Sequence, residues 1–106
     1  MSGQTAYRAD ITAISNAKPC VVTTSAVNNY ATNQFIRLTD LNGYIPIPRG
    51  SDPLNNNKFR IIVIDTTNFS LHNPITFEDI DSTDYTPYVS GGYANLVQSE
   101  FIYNGG

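Results

Sequence analysis

The sequence predicts an all-β domain, a small barrel or sandwich of about six short strands with one long Pro/Asn-rich loop. Three observations lead there. β-Branched and aromatic residues come in short runs, and clusters of Gly, Pro, Asn and Asp separate those runs. No stretch carries the 3.6-residue apolar period of a long amphipathic helix. Charged residues make up 14% of the 106, well below the ~25% of an average domain, and Asn, Thr, Ser and Tyr take their place.

Residues 11–14 form a first strand candidate and 20–25 a clearer one, with a turn over 16–19 between them. Residues 34–39 set Phe35, Arg37 and Thr39 against Ile36 and Leu38, the period of a half-buried strand. Asn42-Gly43 predicts a tight turn. Pro46, Pro48, Gly50 and Pro53 then oppose regular pairing, so 45–57 reads as a long loop of the kind that often makes contacts. Residues 58–65 are the strongest strand. Both faces are apolar beyond Arg60, which predicts cover on both, and an uncovered edge here would invite aggregation. Asp65-Thr66-Thr67-Asn68 turns this strand into a partner over 69–71. Residues 78–84 read as an acidic turn with a single helical turn capped by Asp81 or Ser82. A last strand over 86–89 is closed by Gly91-Gly92. The organisation expected is an N-terminal arm over 1–10, a barrel over 11–92 and a C-terminal arm over 93–106.

Composition narrows the function. The net charge of −3 and the scattering of Arg8, Lys18, Arg37, Arg49, Lys58 and Arg60 give no basic footprint for nucleic acid. No apolar run reaches the ~18 residues of a membrane helix, and Met1-Ser2-Gly3-Gln4 does not open a signal peptide. Cys20, the lone cysteine, reads as a small buried hydrophobe. His72, the lone histidine, ends a strand and is expected at the surface or in a capping role. Glu78, Asp79, Asp81 and Asp84 lack the Gly and the terminal Glu of an EF-hand loop, and read as a solvated acidic turn. No catalytic, metal or cofactor residue is assigned, and no cofactor is expected. Tyrosine is favoured at protein contacts. Tyr30, Tyr44, Ile45, Ile47, Arg49, Phe101 and Tyr103 are therefore the candidate interface residues, being beside turns, in the long loop or in the C-terminal arm.

Four blocks occur in order: Ile14-Ser15-Asn16-Ala17-Lys18-Pro19-Cys20-Val21-Val22-Thr23-Thr24-Ser25-Ala26, then Leu41-Asn42-Gly43, then Phe59-Arg60-Ile61-Ile62-Val63-Ile64-Asp65-Thr66-Thr67-Asn68-Phe69-Ser70-Leu71, then Asp81-Ser82-Thr83-Asp84-Tyr85-Thr86-Pro87-Tyr88-Val89-Ser90-Gly91-Gly92. Over residues 11–92 the chain resembles the FCCH-like β-barrel family of phage proteins, named after the first catalytic-cysteine half-domain of ubiquitin-activating enzymes. That half-domain is a barrel appendage without the nucleophile, so the resemblance implies no catalysis by Cys20. It implies a bacteriophage virion structural protein, a multi-copy tail or head–tail connector component. Its partners would be tail, portal or capsid proteins and copies of itself, with no nucleic acid and no membrane. It would reside in the virion, assembled in the host cytoplasm. A carbohydrate- or receptor-binding module of a tail fibre, or a capsid decoration protein, are the alternatives. The chain departs from the family pattern at Val27-Asn28-Asn29, where many members have His-Gly, and in the longer segment after Gly43.

Overall fold

The computed structural model describes residues 7–43, 54 and 57–97. Six antiparallel strands close a barrel: β1 (Arg8–Ile14), β2 (Val21–Thr24), β3 (Phe35–Gly43), β4 (Lys58–Val63), β5 (Asn68–His72) and β6 (Tyr88–Leu96). The order around the barrel is β1-β2-β5-β4-β3-β6, so β6 closes it by pairing with both β1 and β3. The all-β class and the count of about six strands agree with the sequence, and of the two architectures it allows, barrel or sandwich, the structure is the barrel.

Alternation places the core, and two local irregularities re-phase it. In β1, Ile11 and Ile14 both face inward although they are an odd three positions apart, because the register with β2 shifts between Ile11 and Ala13. In β3, Ile36 and Leu38 alternate regularly, and Asp40 at φ 60° then restores Leu41 to the interior. Phe59 and Ile61 from β4, Phe69 and Leu71 from β5, Val22 from β2 and Ala94 from β6 extend the core, with Cys20 buried beside them and Leu54, from the stretch read as a contact-making loop, buried among them. β4 is paired with β3 on one side and β5 on the other, so its apolar run has no uncovered edge.

Several expectations need correction. Asn42-Gly43 is not a turn: both residues lie in β3 and pair with Ser90 and Tyr88 of β6. Gly91-Gly92 does not end the last strand but lies within β6, where positive φ and the missing side chains let the ribbon pack on Leu41. The barrel also crosses both expected arm boundaries. Residues 8–10 pair with 93–95, and Tyr93 to Leu96 are strand. Residues 78–84 form no helical turn. Asp79 bridges to His72 instead, and Asp81 accepts hydrogen bonds from the amide and hydroxyl of Thr83, which hold its carboxyl below the usual range. Ser82 is fully buried and stitches this segment to the β1–β2 connection: its hydroxyl donates to the carbonyl of Ser15 (2.7 Å) and accepts from the amide of Ala17 (3.1 Å).

Tyr30 is the largest correction. Proposed as an interface residue, it is 5% exposed. Its ring meets Phe69 edge-on at 5.6 Å and its hydroxyl donates to the carbonyl of Ala94. Asn28, in the Val27-Asn28-Asn29 stretch before Tyr30, is buried too. Its side chain donates to Thr24 and accepts from the amide of Tyr30, which fixes the path that carries the tyrosine inward. Burial pushes the Tyr30 phenol from 10.0 up to about 12. The folded chain therefore holds this proton more tightly. The resulting stabilisation is complete below the unfolded pKa near 10 and is lost as pH rises from there through about 12. The loss should amount to about 2–3 kcal/mol. Tyr30→Phe is expected to cost about 1 kcal/mol at neutral pH through the lost hydrogen bond. It should also flatten the alkaline limb of stability measured by urea titration from pH 9 to 12. An unchanged limb would mean that Tyr30 is not the group responsible.

Candidate functional site

The outer face of β4 carries the site. β4 alternates, so Phe59 and Ile61 fill the barrel while Lys58, Arg60 and Ile62 point out. Ile64 follows on the same side, and Asp65 opens the turn into β5. Ile62 is 46% exposed and Ile64 56%. The expected cover on this face is therefore absent from the described residues. The strip runs from cationic (Lys58, Arg60) through apolar (Ile62, Ile64) to anionic (Asp65).

Arg60 is held in one geometry. Its Nε–H donates to Oδ1 of Asn33 at 3.1 Å. Its guanidinium lies 3.5 Å from the ring centroid of Phe77 and 5.6 Å from that of Phe35. Both outer supports are in the left-handed region, Asn33 at φ 79° and Phe77 at φ 71°. For Phe77 that backbone costs on the order of 1–3 kcal/mol, a strain that surrounding structure must impose. The imposing structure is the turn after β5, in which the side chain of Asn73 accepts from the amides of Ile75 and Thr76, while the amides of Asn73 and Phe77 cross-bond the segment. An arginine fixed through its plane and its Nε edge offers the Nη edge for a planar anion such as a carboxylate. No carboxylate of the described residues lies in ion-pairing distance of Arg60 or Lys58; the ion pair near them is His72 with Asp79. A cavity of about 50 Å³ opens between Asn33, Arg60, Ile62, His72 and Phe77.

Beneath this face, Ser70, His72 and Asp79 form a chain. Ser70 Oγ is 2.7 Å from His72 Nε2, and His72 Nδ1 is 3.2 Å from Asp79. A proton on Nδ1 directed at Asp79 leaves Nε2 to accept from the serine. The expectation of a surface histidine is corrected: His72 is buried because the 73–79 segment folds back over it. The sequence of groups is that of a nucleophile, base and orienter. Ser70, however, sits mid-strand between Val21 and Ile62 and is 4% exposed, so a reacting carbonyl has no approach to its oxygen. The chain is a brace that ties the Phe77-bearing segment to β5.

Asp65 is shaped by its turn. Its carboxylate accepts from the amides of Thr67 and Asn68 and from the side chain of Asn68. Those bonds hold its carboxyl below the usual range, so it is ionised wherever the barrel is folded near neutral pH.

A larger cavity, about 320 Å³, lies at one barrel mouth among Leu54, Phe59, Pro74, Ile80 and Tyr85. Its volume suits a small molecule. Its polar groups are committed locally, since Asn73 is spent on the turn and the Lys58 ammonium lies over the Phe35 ring. Among the described residues no three His, Cys, Asp or Glu side chains come together to hold a metal.

Of the candidate interface residues, Tyr30 is core, and Tyr44, Ile45, Ile47, Arg49, Phe101 and Tyr103 lie outside the described residues. The residues of the outer face were missed except as strand. Ile62 and Ile64 beyond an arginine were visible as an apolar outer row, but the companions Asn33 and Phe77 come from other connections. No protein-family model matches the chain, and no curated protein matches its sequence.

Proposed function

We propose that this chain is a bacteriophage virion structural protein, a multi-copy tail or head–tail connector component that works by packing rather than by chemistry. The observation that carries the packing reading is the β4 face: a solvent-facing apolar row beside an arginine immobilised by two residues in the left-handed region. Exposed apolar rows flanked by oriented polar groups suit protein contacts. The virion setting is supported by the resemblance of the four sequence blocks. The partners are then tail, portal or capsid proteins and further copies of the chain.

Cross-linking mass spectrometry on purified, salt-washed particles tests this reading. The chain is expected at fixed stoichiometry, with cross-links from Lys58 to a neighbouring virion protein or a second copy. Its absence from particles would sink the virion reading. Its presence with Lys58 freely labelled and never cross-linked would sink the assignment of this face.

A further inference from the structure

We infer that the β4 outer strip is an isologous self-association surface, on which the strip of one copy lies antiparallel on the strip of a second. This rests on the packing reading above and names the occupant. The argument is the polarity of the strip. Along one strand and its turn the order is Lys58, Arg60, Ile62, Ile64, Asp65, positive to apolar to negative. A two-fold axis at Val63, between Ile62 and Ile64, superposes the apolar centre on itself and sets each Arg60 across from the partner's Asp65-Thr66 turn, one residue from Asp65 and within the span of an extended arginine side chain. In an isologous contact each such pair occurs twice. The groups are prepared for it. The Nε–H of Arg60 is given to Asn33 and its plane lies over Phe77, which leaves the Nη groups as the donors for a partner. Asp65 stays ionised through its turn amides and is fully exposed. Ile62 and Ile64 supply the desolvated centre, and Phe77, 49% exposed, borders it. A foreign acidic partner would answer Arg60 alone; a second copy answers the arginine charge, the apolar row and the Asp65 charge together, with the turn bonds to Asp65 kept in place.

Sedimentation velocity on the purified chain tests the inference. The wild type is expected to shift from monomer to dimer below about 100 μM, the range of a modest interface. Ile62→Asp should weaken association at least about ten-fold while leaving thermal stability unchanged, because the side chain is half exposed and faces outward. Arg60→Glu alone places like charges together twice and should also give monomer. Asp65→Arg alone should do the same. An equimolar mixture of Arg60→Glu and Asp65→Arg chains should recover a heterodimer, since each of its two contacts is then between opposite charges. Asp65 also holds a turn, so Asp65→Asn, which retains the acceptor oxygen, serves as the folded control and should weaken dimerisation several-fold. A wild type that stays monomeric throughout overturns the inference, as does a dimer indifferent to Ile62→Asp and Arg60→Glu. A monomeric chain whose Lys58 still cross-links to another virion protein would overturn self-association and leave the packing reading standing.

Discussion

Phe69→Ala is expected to destabilise the barrel by about 3–5 kcal/mol, a large part of the 5–15 kcal/mol available to a domain of this size. Phe69 is among the largest fully buried side chains, on a strand hydrogen-bonded to β2 and β4 at once. Neither neighbour can move inward to fill the void without breaking ladder bonds, so the cavity should persist and its cost add to the lost transfer free energy. The ring also supports Tyr30 through the edge-on contact, worth about 0.5–1.5 kcal/mol beyond area. Urea titration should show a lower midpoint with an unchanged slope. A double-mutant cycle with Tyr30→Ala should return a coupling free energy of that size. A loss below about 1 kcal/mol, or no coupling, would show that the two rings do not share one packed site.

The parts of the fold that were legible in the sequence are those decided by local period and turn chemistry. β4 and β5 with Asp65 between them follow from the apolar runs and from a side chain able to cap its own turn. Cys20 was placed correctly inside because its neighbours Val21 and Val22 mark a strand. The failures have a common cause, contacts between segments distant in sequence. Tyr30 stands among Asn28, Asn29 and Ala31, a polar stretch that looks like surface. It is buried because that connection runs against Phe69 and reaches Ala94 of the final strand. His72 looked like a strand end, and a returning segment covers it. The Arg60 site needs Asn33 before β3 and Phe77 after β5, and no spacing rule joins these three. The exposure of Ile62 and Ile64 was hidden by the same ambiguity: an apolar outer row means either cover from the same chain or cover from another molecule.

Gly92→Ala should cost about 2–4 kcal/mol, and the reasons can be separated. The residue sits at φ +97°, beyond the left-handed region that other residues visit, which alone costs upward of about 1–2 kcal/mol. A Cβ there would also collide with Cδ2 of Leu41, a buried core side chain with little room to give way. Gly91 provides the comparison: at φ +74° its Cβ would meet its nearest atoms at 3.3 Å, and the residue is exposed. Gly91→Ala should therefore show the backbone part with little collision, about 1–2 kcal/mol. In a Leu41→Ala background the collision at position 92 disappears, and the further cost of Gly92→Ala should fall by about half while its backbone part remains. If Gly92→Ala costs the same in both backgrounds, Leu41 is not what demands glycine there. If it costs no more than Gly91→Ala in the parent chain, β6 and β3 are not packed as closely as the barrel's closure requires, since this ribbon is where the last strand is drawn against the third.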